Sequence, residues 1–130
     1  MRHLMWVGLL VASAVPALAM DGPSLPSSAK KLTKDEIIAM MQGKTFNYKS
    51  YNHDELKTGK TTFDFKKMTY SGTYSDKGKM KSYTAQPLSM NSEAYCYDKT
   101  CPEGASAIYV DGSVIYEMND KGKVGEVLTK

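Results

Sequence analysis

From Lys44 onward, apolar and polar residues alternate with a period of two. Phe46 and Tyr48 alternate with Thr45, Asn47 and Lys49, and Phe63 and Phe65 with Thr62, Asp64 and Lys66. Met68, Tyr70, Gly72 and Tyr74 then share one face, with Thr69, Ser71 and Thr73 on the other. That period, with many aromatic and β-branched residues, predicts a succession of short strands. The breaks between them are turn signals: Asp76-Lys77-Gly78-Lys79 recurs letter for letter as Asp120-Lys121-Gly122-Lys123, between Val114 to Met118 and Val124 to Leu128. Asp111-Gly112, between Ile108-Tyr109-Val110 and Ser113-Val114-Ile115, predicts a third hairpin with a type I′ turn. Pro87 marks an edge or a bulge, because it cannot donate to a ladder. Short connections favour antiparallel neighbours, so the expected fold is mainly β: an antiparallel meander of about seven or eight strands curling into a small barrel or sandwich, lipocalin-like in outline. Closure would remove the strand edges that template aggregation.

Before the strands the period changes. Thr33-Lys34-Asp35-Glu36 is a capping box, in which the Thr33 hydroxyl accepts from the Glu36 amide and the Glu36 carboxylate returns to the Thr33 amide. Leu32 and Ile37 are spaced as a hydrophobic staple, while Ile37, Ile38 and Met41 form one apolar stripe. Gly43 can close this short helix in the left-handed conformation. Asp21 to Lys31, rich in Pro, Ser and Lys without apolar periodicity, is expected to be a flexible leader, so that residues 32–130 form a single β-rich domain.

The first 19 residues have another pattern: Arg2 and His3, an apolar run from Leu4 to Val15, and Ala17-Leu18-Ala19. They predict a cleaved secretory signal peptide. The run is about a dozen residues, where a spanning helix needs roughly 20, and Met20 and Asp21 follow the cleavage point where a lipoprotein would place a cysteine. A periplasmic or secreted protein with no membrane anchor is expected. In such a compartment disulfides persist, so Cys96 and Cys101 are expected to pair and pin a turn, with about 2 kcal/mol from so short a loop. A redox pair would favour Cys-x-x-Cys at a helix start, and two thiolates are too few for a structural zinc.

The net charge of +3 includes Arg2, the one arginine, so cleavage leaves a nearly neutral chain whose lysines are interspersed with acids. Nucleic acid is therefore not an expected partner, and the planar fork that grips carboxylate or phosphate bidentately is missing. Lys77, Lys79, Lys121 and Lys123 crowd two turns, as solubilising hairpin tips or a basic rim for an acidic partner.

Aromatic richness is the remaining compositional signal, with nine tyrosines and three phenylalanines. Tyr48, Tyr70, Tyr74, Tyr109 and Tyr116 occupy strand positions and form the candidate binding face, because tyrosine offers a large contact area at low entropic cost. Ordinary packing of half-buried rings is the competing reading. His53, in Tyr51-Asn52-His53-Asp54-Glu55, reads as a solvated loop residue, and Asp64, Glu93 and Glu117 as solvated strand residues in place of a glycosidase pair. No cofactor or metal ligand set is expected. Gly72 to Lys79 fails as a phosphate loop, since Met80 stands where a hydroxyl is required.

The succession Leu32-Thr33 to Gly43-Lys44-Thr45-Phe46, then Ser71-Gly72-Thr73-Tyr74, Tyr95-Cys96-Tyr97 and Asp111-Gly112, resembles a domain of unknown function found in small, uncharacterised secreted proteins of proteobacteria. The resemblance spans most of residues 32 to 118 and implies an exported, β-rich domain with an N-terminal helix and two cysteines. The chain departs from it in lacking tryptophans in the strands, and no site carries over. The expected function is a non-enzymatic binding or inhibitor-type module acting on a protein partner in the cell envelope; the alternative is a lipocalin-like carrier of a small apolar ligand.

Overall fold

The computed structural model describes residues 21–130, so the expected signal peptide lies outside the described residues. Ten strands and one α-helix follow in the order β1 (Lys30–Lys31), α1 (Lys34–Met41), β2 (Thr45–Ser50), β3 (Lys57–Asp64), β4 (Thr69–Asp76), β5 (Lys79–Pro87), β6 (Ser89–Met90), β7 (Tyr95–Cys96), β8 (Ile108–Asp111), β9 (Val114–Met118) and β10 (Val124–Thr129). Eight of them form one antiparallel sheet in the order β1-β8-β9-β10-β2-β3-β4-β5, and β6 and β7 form a separate ribbon. Two meanders, β2 to β5 and β8 to β10, are thus joined by the pairing of β10 with β2.

The expected barrel is corrected here: β1 and β5 stand at opposite ends of the order and do not pair, so the sheet stays open. Nor is there a second large sheet to make a sandwich. The residues between β5 and β8 leave the sheet to build the β6–β7 ribbon, so the strand that would close the ring is spent on covering its inner face. The long open edge is β5, which is protected by the means that soluble sheets use. Ala85 has φ +49° at a register shift opposite Tyr70 and Gly72, Pro87 ends the strand, and Lys79 and Lys81 are exposed along it. The last residues of the expected leader, Lys30 and Lys31, pair with Val110 and Tyr109 as the opposite edge.

Local signals act as their chemistry dictates. Thr33 caps α1 with both arms of the capping box, and Gly43, at φ +70°, follows the helix end. Lys77 and Gly78 both have positive φ in the β4–β5 hairpin, the type I′ pattern. The β8–β9 hairpin differs from expectation: Asp111 pairs with Val114, leaving Gly112-Ser113 as the turn with only Gly112 at positive φ, the type II′ pattern.

One face of the sheet carries Phe46, Phe63, Ile108, Ile115 and Leu128, on which α1 lays Ile37 and Met41 and the ribbon lays Ala94 and Tyr95. All of these are 2 % exposed or less. Phe63 lies at the centre, its ring centroid 5.3 Å from Tyr95, 5.8 Å from Phe65, and 6.1 Å from both Phe46 and Tyr97. Buried Asn91 ties the ribbon down: its amide donates to the Pro102 and Ala105 carbonyls, and its oxygen accepts from the Glu93 and Ala94 amides. Cys96 and Cys101 are disulfide-bonded, with 5.3 Å between their Cα atoms, and so close the loop beyond it.

Gly59 and Gly72 sit on the same face of neighbouring strands, where β3 and β4 press closest. A Cβ on Gly72 would lie 1.9 Å from the Lys60 carbonyl oxygen, and one on Gly59 2.0 Å from that of Thr73. Gly72→Ala is therefore expected to wedge the strands apart and cost about 1–3 kcal/mol, read as a lower urea midpoint. An unchanged midpoint would show that the strands separate freely.

Candidate functional site

The core fills only part of the inner face. Beyond Phe46 and Phe63 the inward positions are Tyr48 and Ser50 on β2, Lys57, Gly59 and Thr61 on β3, Tyr70, Gly72 and Tyr74 on β4, Tyr83 and Gln86 on β5, and Glu126 on β10. Most of these side chains do not meet the core, and between them lies a hollow of about 680 Å³ that opens to solvent. Its walls are the rings of Tyr48, Tyr70, Tyr74, Tyr83 and Tyr97, and Asn52, His53, Lys57 and Gln86 also line it. The rings meet edge to face: Tyr70 lies 4.9 Å from Tyr97 and 5.5 Å from Tyr83. That arrangement sets positive ring edges against negative faces and holds the wall rigid.

Beneath the wall lies a pair of acids. Glu117 on β9 and Glu126 on β10 are direct cross-strand partners, brought together after a register shift at Gly125. Glu117 is buried and accepts from the hydroxyls of both Tyr95 and Tyr97, and the Tyr97 hydroxyl also lies 3.5 Å from Glu126 Oε1. Burial pushes the Glu117 carboxyl up to about 7, against the two tyrosine hydrogen bonds that favour its ionised form. Burial also raises Glu126 well above the usual range, and the neighbouring Glu117 adds to it, while hydrogen bonds from Tyr97 and Ser50 oppose. Two carboxyls so close in a poorly solvated place cannot both hold a charge cheaply, so at neutral pH the pair keeps a proton. The phenols share the same surroundings: desolvation raises Tyr48, Tyr70 and Tyr83, and most strongly Tyr95 and Tyr97.

One polar atom here lacks a well-placed partner. Thr61 is 2 % exposed and lines the hollow; its Oγ1 makes no hydrogen bond of good geometry, and the Tyr83 hydroxyl is the group that interacts with it. A buried hydroxyl without a well-placed partner costs about 1–3 kcal/mol, so a donor reaching Thr61 would be favoured.

The candidate tyrosines divide by face. Tyr48, Tyr70 and Tyr74 are brought together in the wall, whereas Tyr109 and Tyr116, cross-strand partners on β8 and β9, point to the other face because Ile108, Ile115 and Glu117 occupy the inner one. Tyr83, Tyr97, Thr61 and the acid pair were not anticipated. Of the three strand acids, Asp64 caps the turn after β3, accepting from the Lys66 and Lys67 amides, and Glu93 pairs with Lys31 at 2.8 Å on the surface. Glu117 alone is buried, contrary to the solvated strand residue expected. His53 is an exposed loop residue at the hollow.

Among the described residues no helix is long and apolar enough to cross a membrane, and no group of three or more His, Cys, Asp or Glu is placed to hold a metal ion. The disulfide fits an oxidising, non-cytosolic location. No family model, no curated protein and no solved structure matches the chain.

Proposed function

We propose that the protein is a non-enzymatic binding protein of the periplasm or extracellular space that carries a small, largely apolar molecule in the tyrosine-lined hollow. The observation that supports this reading is the hollow itself: about 680 Å³, walled by five tyrosines, lies within the size range of small-molecule sites, and a few polar groups converge on it. The rings are locked by one another, so little ordering is required on binding. Glu126, at the hollow, serves as an orienting group.

The other reading, a module acting on an envelope protein, has one feature in its favour. The reverse face carries Tyr116, Tyr51 and Met80 along a second hollow of about 510 Å³, with Met80 64 % exposed. Native mass spectrometry of the protein purified from its own source separates the two. A small-molecule adduct, lost on mild activation, is the expected result. A protein adduct would transfer the assignment to the reverse face, and a bare monomer under all conditions would sink both.

A further inference from the structure

We infer that the molecule taken up by the hollow is an organic cation, an ammonium group, primary or methylated, seated against the faces of Tyr48, Tyr70, Tyr83 and Tyr97 with Glu126 beneath it and Thr61 Oγ1 beside it. This inference rests on the small-molecule reading of the same hollow and names its ligand class.

Three independent features converge on a positive charge. Tyrosine faces carry the negative part of the ring quadrupole, and five tyrosine rings wall this one space, the kind of aromatic lining that attracts ammonium ions. Glu126 is the one acid that lines the hollow and buried Glu117 is its cross-strand partner, so together they disfavour a carboxylate or phosphate ligand. Thr61 Oγ1, buried and without a well-placed partner, offers a lone pair where an N–H donor would complete it, or a dipole toward which an N-methyl group can turn. The hollow's own cation does not compete, because Lys57 is drawn away by Glu55 at 2.9 Å and Asp76 at 3.8 Å.

Binding should also move protons. Around the acid pair stand Tyr95 and Tyr97 from the ribbon and the residue after it and Ser50 from β2, while Tyr48 from β2, Lys57 from β3, Tyr70 from β4, Tyr83 from β5 and His53 from the β2–β3 loop line the same hollow as Glu126. The free hollow retains a proton on the pair because burial disfavours charge, and an ammonium ion placed above it reverses that preference. Affinity is thus expected to increase as pH rises from 6 to 8, by up to about tenfold per unit for each proton released.

The test uses the whole protein and two probes of one shape, choline and 3,3-dimethylbutan-1-ol, in which carbon replaces the charged nitrogen. Binding is followed by the shifts of tyrosine ring resonances at pH 6 and pH 8. Choline is expected to bind about tenfold more tightly than the alcohol at pH 8, with the ratio smaller at pH 6. Glu126→Gln, which keeps the shape of the protonated acid, should lower the ratio and remove most of its change with pH, and a second variant, Thr61→Val, should lower choline affinity without altering its pH dependence. If the alcohol binds as tightly as choline at both values, the cation is overturned while the small-molecule reading stands. Binding of neither probe at millimolar concentration also overturns the cation, and the carrier reading then depends on whether the mass-spectrometric adduct is present.

Discussion

Phe63→Ala should cost about 3–5 kcal/mol, the largest effect expected of any single side chain in the molecule. Domains of this size have about 5–15 kcal/mol in total, so the variant is expected to lose a large share of its stability. The reason lies in position as much as size. Phe63 is fully buried and touches aromatic neighbours from three directions: Phe46 on the adjacent strand, Phe65 stacked at 5.8 Å in the turn, and Tyr95 and Tyr97 from the ribbon. Flat rings held by a β-sheet on one side and a disulfide-closed ribbon on the other cannot collapse into the vacated space, and the cost of a cavity is least relieved in such a site. Urea unfolding measures it. A loss below about 1.5 kcal/mol would mean that the ribbon settles onto the sheet, and with it that Tyr97 has no fixed place in the wall of the hollow.

The second large effect is an unusual dependence of stability on pH. Most proteins lose stability on acidification, because their native carboxylates are held below the ordinary range. Here the buried pair acts in the opposite sense. Glu117 ionises near 4.5 in the unfolded chain but near 7 in the native protein, so its contribution is complete below about pH 4.5 and lost as pH rises through 7. Glu126, raised by burial and by Glu117, extends the loss to higher pH. Asp64 and Asp76 work the other way: Gln42 and backbone amides hold the first below the ordinary range, and Lys81 the second, so their smaller, solvent-exposed contributions disappear only in acid. Maximum stability is thus expected near pH 4.5 to 5, and urea midpoints should decline from pH 5 to pH 8. Glu117→Gln should flatten that decline. A wild-type midpoint that rises across the interval would refute the assignment.

What could be read from the chain was local. The capping box at Thr33 and Glu36 acts between residues three apart, the Lys77-Gly78 turn needs only its own backbone, and the inward set Tyr70, Gly72, Tyr74 follows from the period alone. Closure was not legible, because whether β5 meets β1 depends on twist summed over eight strands and on where residues 88–107 lie. Tyr109 and Tyr116 illustrate a different difficulty: Ile108-Tyr109-Val110 and Ile115-Tyr116 offer apolar residues to both faces, and periodicity cannot say which face is inward. The acid pair did leave a signal. Glu117 stands two residues from Ile115, and Glu126 two from Leu128, so each acid occupies an inward position on a strand whose other inward residue is core. Tyr95 and Tyr97 likewise flank Cys96 with a period of two. What no local pattern supplies is that these four side chains meet.

The pairing of β10 with β2 sets a condition on how the molecule comes into being. Translation delivers the β2–β5 meander first and the β8–β9 hairpin later, yet the strand that joins them, Val124–Thr129, follows both. A nascent chain therefore holds two half-sheets with open edges and a core that lacks Leu128. Such long-range pairings are slow to form, because the loop must be closed before any contact offsets its entropy. Glu126 arrives with the same strand, so the floor of the hollow is laid down only as the sheet becomes continuous. Closing the sheet and completing the hollow are consequently one event.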